Sequence, residues 1–189
     1  MLIRGIALSA NVDGLTCELG LRLGGGSKHI IDALAQHAPH KTHIAVDPYG
    51  NIEYNAHDNG LKVRIDYTNQ MRNTCMANIY PYANDKNVHF IFFNLEDSEF
   101  FQRFADGVPV YRENKAIINQ YSFVHFDAGH IVPEILKQID FFWMRSVPGS
   151  VFAFDDVVGF YNHDEIEKRL FPHFKLIEKG NKKAIYQKL

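Results

Sequence analysis

Cysteine is scarce in this chain, with two in 189 residues, Cys17 and Cys75. That number and spacing make neither a disulfide framework nor a thiolate metal knuckle. Both read as buried free thiols of a reducing compartment, which points to the cytoplasm. An excess of one charge is also missing. The net charge is -2, and no run of Lys or Arg occurs. That argues against a nucleic-acid groove and against an anionic membrane surface as partner. No stretch approaches the ~20 apolar residues of a membrane span. Residues 1–10 are mildly apolar but lack a sustained hydrophobic centre, and Asn11-Val12-Asp13 follows at once. They do not read as a signal peptide. Repeats, low-complexity tracts and linkers are absent too, so residues 1–189 read as one domain, with 1–13 a leading arm or helix.

What is present is an alternation. Leu15–Leu21, Thr42–Asp47, Asn87–Phe93, Tyr121–Phe126 and Ser150–Phe154 read as strands. Short runs apolar throughout suit strands covered on both faces. Between them, helical spacing of apolar residues predicts helices over roughly Ser27–His37, Tyr67–Tyr82, Ser98–Ala105, Pro133–Arg145 and His163–Phe171. Tyr49–Ile65 and Asp106–Ile117 read as loops. Phe174–Lys179 and Lys183–Lys188, joined through Gly180-Asn181, predict a closing hairpin. Alternating strands and helices give an α/β fold with a doubly wound, mainly parallel sheet, and the hairpin adds antiparallel pairing at one edge.

The chain is organised around Leu15–Lys28. A strand carrying Glu18 runs into a loop with Gly20, Gly24, Gly25 and Gly26, and Ser27 opens a helix. Glycine lets a ligand approach the backbone, and a helix start presents unpaired N–H groups. A plain turn that needed small residues fits the same letters. Position decides more. Glu18, Asp47, Asp127, Asp155 and Asp156 all fall at carboxyl ends of predicted strands. In a doubly wound sheet those ends share one rim, where ligands bind. Asp47 suits the hydroxyls of a ribose. Asp127, Asp155 and Asp156 suit a hard divalent cation such as Mg²⁺. A merely hydrated acidic rim is the plain alternative for each acid taken singly.

Glu18–Ser27 (ELGLRLGGGS) resembles the cofactor-binding motif of class I S-adenosylmethionine (SAM)-dependent methyltransferases, and Ala-Val-Asp-Pro at 45–48 is similar to their second motif. Phe-Asp-Ala-Gly-His at 126–130, Pro-Gly-Ser at 148–150 and Phe-Asp-Asp-Val at 154–157 resemble the metal-dependent small-molecule O-methyltransferases of the catechol and macrocin type. The resemblance implies a Rossmann-like, seven-stranded sheet whose last strand is antiparallel. It implies Glu18, Gly20, Gly24, Gly25 and Ser27 around the methionine part of SAM, Asp47 on the ribose, and Asp97 and Ser98 near the adenine. It implies a divalent ion on Asp127, Asp155 and Asp156, and His130 as base or substrate contact. The sequence departs from the relatives at Gly129, where they often carry an acid, and at Ser150, where they often carry glycine. Three residues separate Gly20 from Gly24, which argues against a dinucleotide fingerprint.

The expected reaction is methyl transfer to a hydroxyl of a small-molecule acceptor, a sugar, phenol or natural product. Tyr49, Tyr54, His57, Tyr111, Arg112 and Tyr161, from loops expected to border the rim, offer aromatic faces and polar tips for it. Competing readings are a metal-independent methyltransferase fold with another acceptor, a metal-using oxidation on the same scaffold, and a non-catalytic interaction domain. A homodimer is compatible with the sequence, which shows no exposed stripe that would define its face.

Overall fold

The computed structural model describes residues 1–50, 52–58 and 61–189, and for 52–58 and 61–66 the backbone alone. Five parallel strands form its centre: β1 (Leu15–Leu19), β2 (Thr42–Val46), β5 (His89–Phe93), β8 (Tyr121–Phe126) and β9 (Val151–Phe154). All residues of β1, β2, β8 and β9 are buried, as the unbroken apolar runs require. The hairpin β10 (Phe174–Lys179) and β11 (Ala184–Lys188) completes a seven-stranded sheet in the order β10-β11-β9-β8-β1-β2-β5. Among these seven, β11 alone runs against the rest, antiparallel to both β9 and β10.

Side chains on alternate strand positions enter opposite layers. Leu15, Cys17 and Leu19 join Phe126, Phe152 and Phe154 under α4 (Asp97–Arg103), α5 (Val132–Trp143) and α6 (His163–Leu170). The other face packs Ala45, Phe123, Ala153 and Ile185 under α1 (Leu2–Leu8), α2 (Gly25–His37) and α3 (Asn69–Asp85). Each large side chain sealed in these layers contributes roughly 1.5–3 kcal/mol.

Several element ends have local causes. The first strand stops at Leu19, short of the expected Leu21, because Gly20 turns the chain with φ +87°. The third helix starts at Asn69 rather than Tyr67, since Thr68 caps it: its Oγ1 accepts the Met71 N–H at 3.1 Å. Both expected loops prove to be hairpins. One is β3 (Ile52–Asp58) with β4 (Leu61–Tyr67), the other β6 (Val108–Tyr111) with β7 (Lys115–Ile118). Each is a separate two-stranded sheet. Each of their strands pairs only with its own partner strand, and neither hairpin joins the main sheet.

From β1 the chain builds outward through β2 to β5, then returns across the sheet to β8 on the other side of β1. This reversal opens a crevice beyond the carboxyl ends of β1 and β8.

Candidate active site

A cavity of about 430 Å³ occupies that crevice. Its wall is built from the ends of four strands: Leu19 and Gly20 after β1, Val46 and Asp47 after β2, Asp97 and Ser98 at the start of α4 after β5, and Asp127 to His130 after β8. Gln138 of α5, Phe101 of α4 and Tyr67 of β4 close it. Gly20 must be glycine. A Cβ there would strike the Asp127 carbonyl, and its φ is left-handed.

Asp47 is 4% exposed, and its Oδ2 accepts the backbone N–H of Arg22 at 2.6 Å. Burial outweighs that hydrogen bond and lifts its pKa to about 6. The backbone N–H groups of Arg22 and Leu21 and the Tyr49 hydroxyl all favour its ionised form, and burial still wins. Asp97 accepts the Ser98 N–H at 2.6 Å through Oδ1 and the Gln138 side-chain N–H at 2.7 Å through Oδ2. Asp127 rises to about 7, chiefly by burial; His125 and Lys183 hold it down, while Asp155 and Glu18 push it up. His130 is half-buried, with Nε2 3.9 Å from Asp156 Oδ2 and its ring against Phe160.

Glu18 and Ser27 lie elsewhere than expected. Both are buried on the α2 face of the sheet, where Glu18 accepts from Ser27 Oγ and its Oε1 faces His125 Nδ1 at 3.0 Å. The period-two rule sends Glu18 to the face opposite Leu19, so it underpins the glycine loop rather than lining the cavity. Ser27 in turn meets His43 Nε2 at 3.2 Å, and His43 Nδ1 meets Thr16 Oγ1 at 3.1 Å. Burial pushes the His43 pKa down to about 4, so it is neutral there. On the far side, Lys183 Nζ lies 3.3 Å from His125 Nε2 and pairs with Asp155. A continuous polar chain thus runs beneath the sheet from Thr16 to Asp155. Gly24 caps α2 in left-handed conformation and packs on Ile79 and Cys75, and Gly25 opens that helix facing free space.

The expected carboxylate set is split. Asp155 faces Lys183, whose hydrogen bond and charge overcome burial and lower its pKa. Asp156, at φ +53°, donates its N–H to Asp155 Oδ1 at 2.9 Å and turns its carboxylate to His130. Among the described residues the grouping at metal-ligand spacing is instead Glu18, His125 and Asp127, with ligand atoms within 4.8 Å of one another.

Of the expected acceptor contacts, Tyr161 stays near the rim, its hydroxyl donating to the Asp155 carbonyl at 2.9 Å. Tyr49 is buried, and its hydroxyl donates to the Arg22 carbonyl. Arg112 lies at the other end of the sheet, where it donates to the His40 carbonyl, and Tyr111 belongs to the same hairpin. The reason is direction: α4 carries the chain back from the carboxyl edge, so the hairpin after it sits at the amino edge. The side chains of Tyr54 and His57 lie outside the described residues. Gln138, His125 and Lys183 were not expected at all. Gln138 had one signal, an amide at helical spacing between Ile135 and Phe142 on the apolar face of α5.

No family model matches this chain, and no curated protein matches it in sequence. Solved structures do match in shape. An O-methyltransferase from Bacillus cereus in complex with S-adenosylhomocysteine (SAH) superposes with a TM-score of 0.61 at 11% identity, over 100% of this chain and 79% of that one. The O-methyltransferase TomG of Streptomyces achromogenes, involved in tomaymycin synthesis and bound to SAM, gives 0.62 at 13%, over 99% and 77%. An rRNA methylase from Streptococcus thermophilus gives 0.56 at 9%, over 99% and 93%. The fold is that of the class I SAM-dependent methyltransferases. No helix among the described residues is long and apolar enough to cross a membrane.

Proposed function

We propose that this chain is a SAM-dependent methyltransferase that methylates a hydroxyl of a small molecule, with a divalent cation bound at Asp127. The observation that carries the reading is the cavity at the reversal of strand order, with the buried Asp47 on one side and Asp127 and His130 on the other. Asp47 accepts the ribose hydroxyls. Gly20 admits the methionine part against bare backbone, and Asp97 and Ser98 lie by the base. Solved neighbours include an rRNA methylase as well as small-molecule enzymes, so fold leaves the acceptor open. The net charge of -2 and the lack of basic runs favour a small acceptor.

The donors suit a divalent ion in number and hardness. Asp127 is shared by both carboxylate sets, the expected one with Asp155 and Asp156 and the one spaced for ligation with Glu18 and His125. Such an ion, when bound, acidifies a coordinated hydroxyl. The chain does the rest. Asp127 orients the acceptor hydroxyl, and His130, whose Nε2–H faces Asp156, takes its proton at Nδ1. The acceptor oxygen bonds to the methyl carbon as the carbon–sulfur bond breaks and the sulfonium becomes a neutral thioether. Aligning the three atoms is the larger part of the work.

A metal-independent version is favoured by one contact: Lys183 already neutralises Asp155. Calorimetry with SAM, with and without Mg²⁺, and a labelled-methyl acceptor screen decide. SAM binding together with transfer lost in EDTA supports the proposal. Equal transfer in EDTA and Mg²⁺ assigns the charge role to Lys183, and Lys183→Met then lowers activity; under the metal reading that variant binds Mn²⁺ more tightly. Failure to bind either SAM or Mg²⁺ overturns the enzyme reading in favour of an interaction domain.

A further inference from the structure

We infer that the β6–β7 hairpin is a self-association surface, on which the outer edge of β7 pairs antiparallel with its copy in a second chain about a two-fold axis. The inference goes beyond the reaction proposed above and does not depend on it. Val108 and Val110 anchor the hairpin in the core, yet residues 111–117 are all exposed. Pairing of Tyr111 with Lys115 and of Pro109 with Ile117 puts these four side chains on one face. Tyr111 is 63% exposed and Ile117 58%, with the Lys115 ammonium 5.7 Å from the centre of the Tyr111 ring. On one side β7 pairs with β6. On its other side no main-chain hydrogen bond reaches it among the described residues.

Strand edges left open to water are normally blunted by charge or by distortion. The β10 edge of the main sheet is blunted in both ways. It carries Lys175, Glu178 and Lys179, and its register shifts between Leu176 and Glu178. The strand β7, Lys115-Ala-Ile-Ile118, has one charge at its start, no proline and no shift.

Charge and register point to a second copy as the occupant. The hairpin tip holds Arg112 and Lys115 against Glu113, and its base holds Asp106. Neither Lys115 nor Asp106 has a salt bridge among the described residues. A two-fold axis lays the basic tip of one hairpin beside the acidic base of the other. Centred on Ile117, the pairing sets Ile117 against its own copy, Ala116 against Ile118 and Lys115 against Asn119. No like charges meet, and Pro109, Ile117 and their copies form one apolar row across four strands. A single hairpin buries less than the roughly 800 Å² per partner of a stable dimer, so the association is of the weak, transient class. The hairpin lies at the amino edge, so the cleft at the carboxyl edge stays open in the pair.

Sedimentation velocity of the full chain between about 5 and about 500 µM, a range that covers weak association, tests this. The weight-average mass is expected to climb from that of one chain toward that of two. Ile117→Lys sets two ammonium groups face to face at the axis and should weaken association at least about 10-fold. Leu176→Lys, at the β10 edge, should leave it unchanged. Leu176 is 41% exposed, so neither substitution disturbs the core. A wild-type chain that stays monomeric throughout overturns the inference without any variant, and leaves the edge to a strand of another protein. Association that survives in Ile117→Lys overturns it too, as does association lost equally in Leu176→Lys.

Discussion

Two hollows of nearly equal size open at opposite edges of the sheet, about 430 Å³ at the carboxyl edge and about 440 Å³ at the amino edge. Their chemistry differs. At the amino edge Lys41 is 4% exposed, and its ammonium donates to the Ser9 carbonyl at 2.6 Å, the Val12 carbonyl at 2.6 Å and Ser122 Oγ at 2.8 Å. All three of its donors are used, and Arg112 is likewise bound to the His40 carbonyl. At the carboxyl edge the polar groups are in deficit. Asp47 and Asp127 are raised by burial, and Gln138 Oε1 has no partner among the described residues. Volume does not distinguish a binding site from a structural recess here; unmet hydrogen-bonding capacity does.

The sharpest way to break this contrast uses two glycines. Gly14 and Gly20 flank β1, and at each a Cβ would strike a backbone carbonyl beside β8, that of Gln120 or of Asp127. Both have left-handed φ, +121° and +87°. Each change to alanine should cost about 3–5 kcal/mol in urea unfolding. Gly20→Ala alone should also weaken SAH binding; an equal loss in Gly14→Ala would erase the distinction between the edges.

Next in size is a pair of side chains. Asp47→Ala should reduce SAH affinity by roughly 100-fold, from two lost charge-assisted hydrogen bonds. Lys41→Met should leave affinity unchanged while lowering stability by about 1–3 kcal/mol, because three acceptors lose their donor. Calorimetry and thermal melts on the same samples separate the two outcomes.

A further effect, comparable in size to that of Lys41→Met, is one of pH. Asp47 has a folded pKa of about 6, above its ordinary value of 3.8. A raised carboxyl favours the folded state when protonated. That contribution is complete below the unfolded pKa and is lost as the pH rises through 6. It amounts to roughly 2–3 kcal/mol. Asp47→Asn should remove this slope, so the variant gains on the wild type in ligand-free urea melts between pH 4 and 8. Parallel stability profiles for the two proteins would show that Asp47 is not strained by burial.

Much of this was legible in the letters. The five parallel strands and the closing hairpin follow from apolar runs such as Phe90–Phe93 and from the Gly180-Asn181 turn. The rim positions of Asp47 and Asp127 follow from their places just past strand ends, while Asp97 was named by the resemblance alone. What escaped was direction within an element. Glu18 and Leu19 are neighbours in sequence but face opposite layers, and only the pairing of β1 with β2 and β8 fixes which layer each meets. Lys183 was read as the start of a strand, and nothing local says that it will reach Asp155, 28 residues back. The two small hairpins hid because their strands pair with each other rather than with the core.

The polar chain from Thr16 to Asp155 has a bearing on how the protein assembles. Asp155 receives its counter-charge from Lys183, at the turn into the strand inserted between β9 and β10. The pairing of β9 with β11 that brings Lys183 to Asp155 closes over about 30 residues, whereas the pairing of β1 with β8 that shapes the cleft closes over more than 100. Contacts more distant in sequence form more slowly. The rim acid should therefore gain its counter-charge before the cleft is shaped, so ligand competence should arrive with the docking of β1 beside β8.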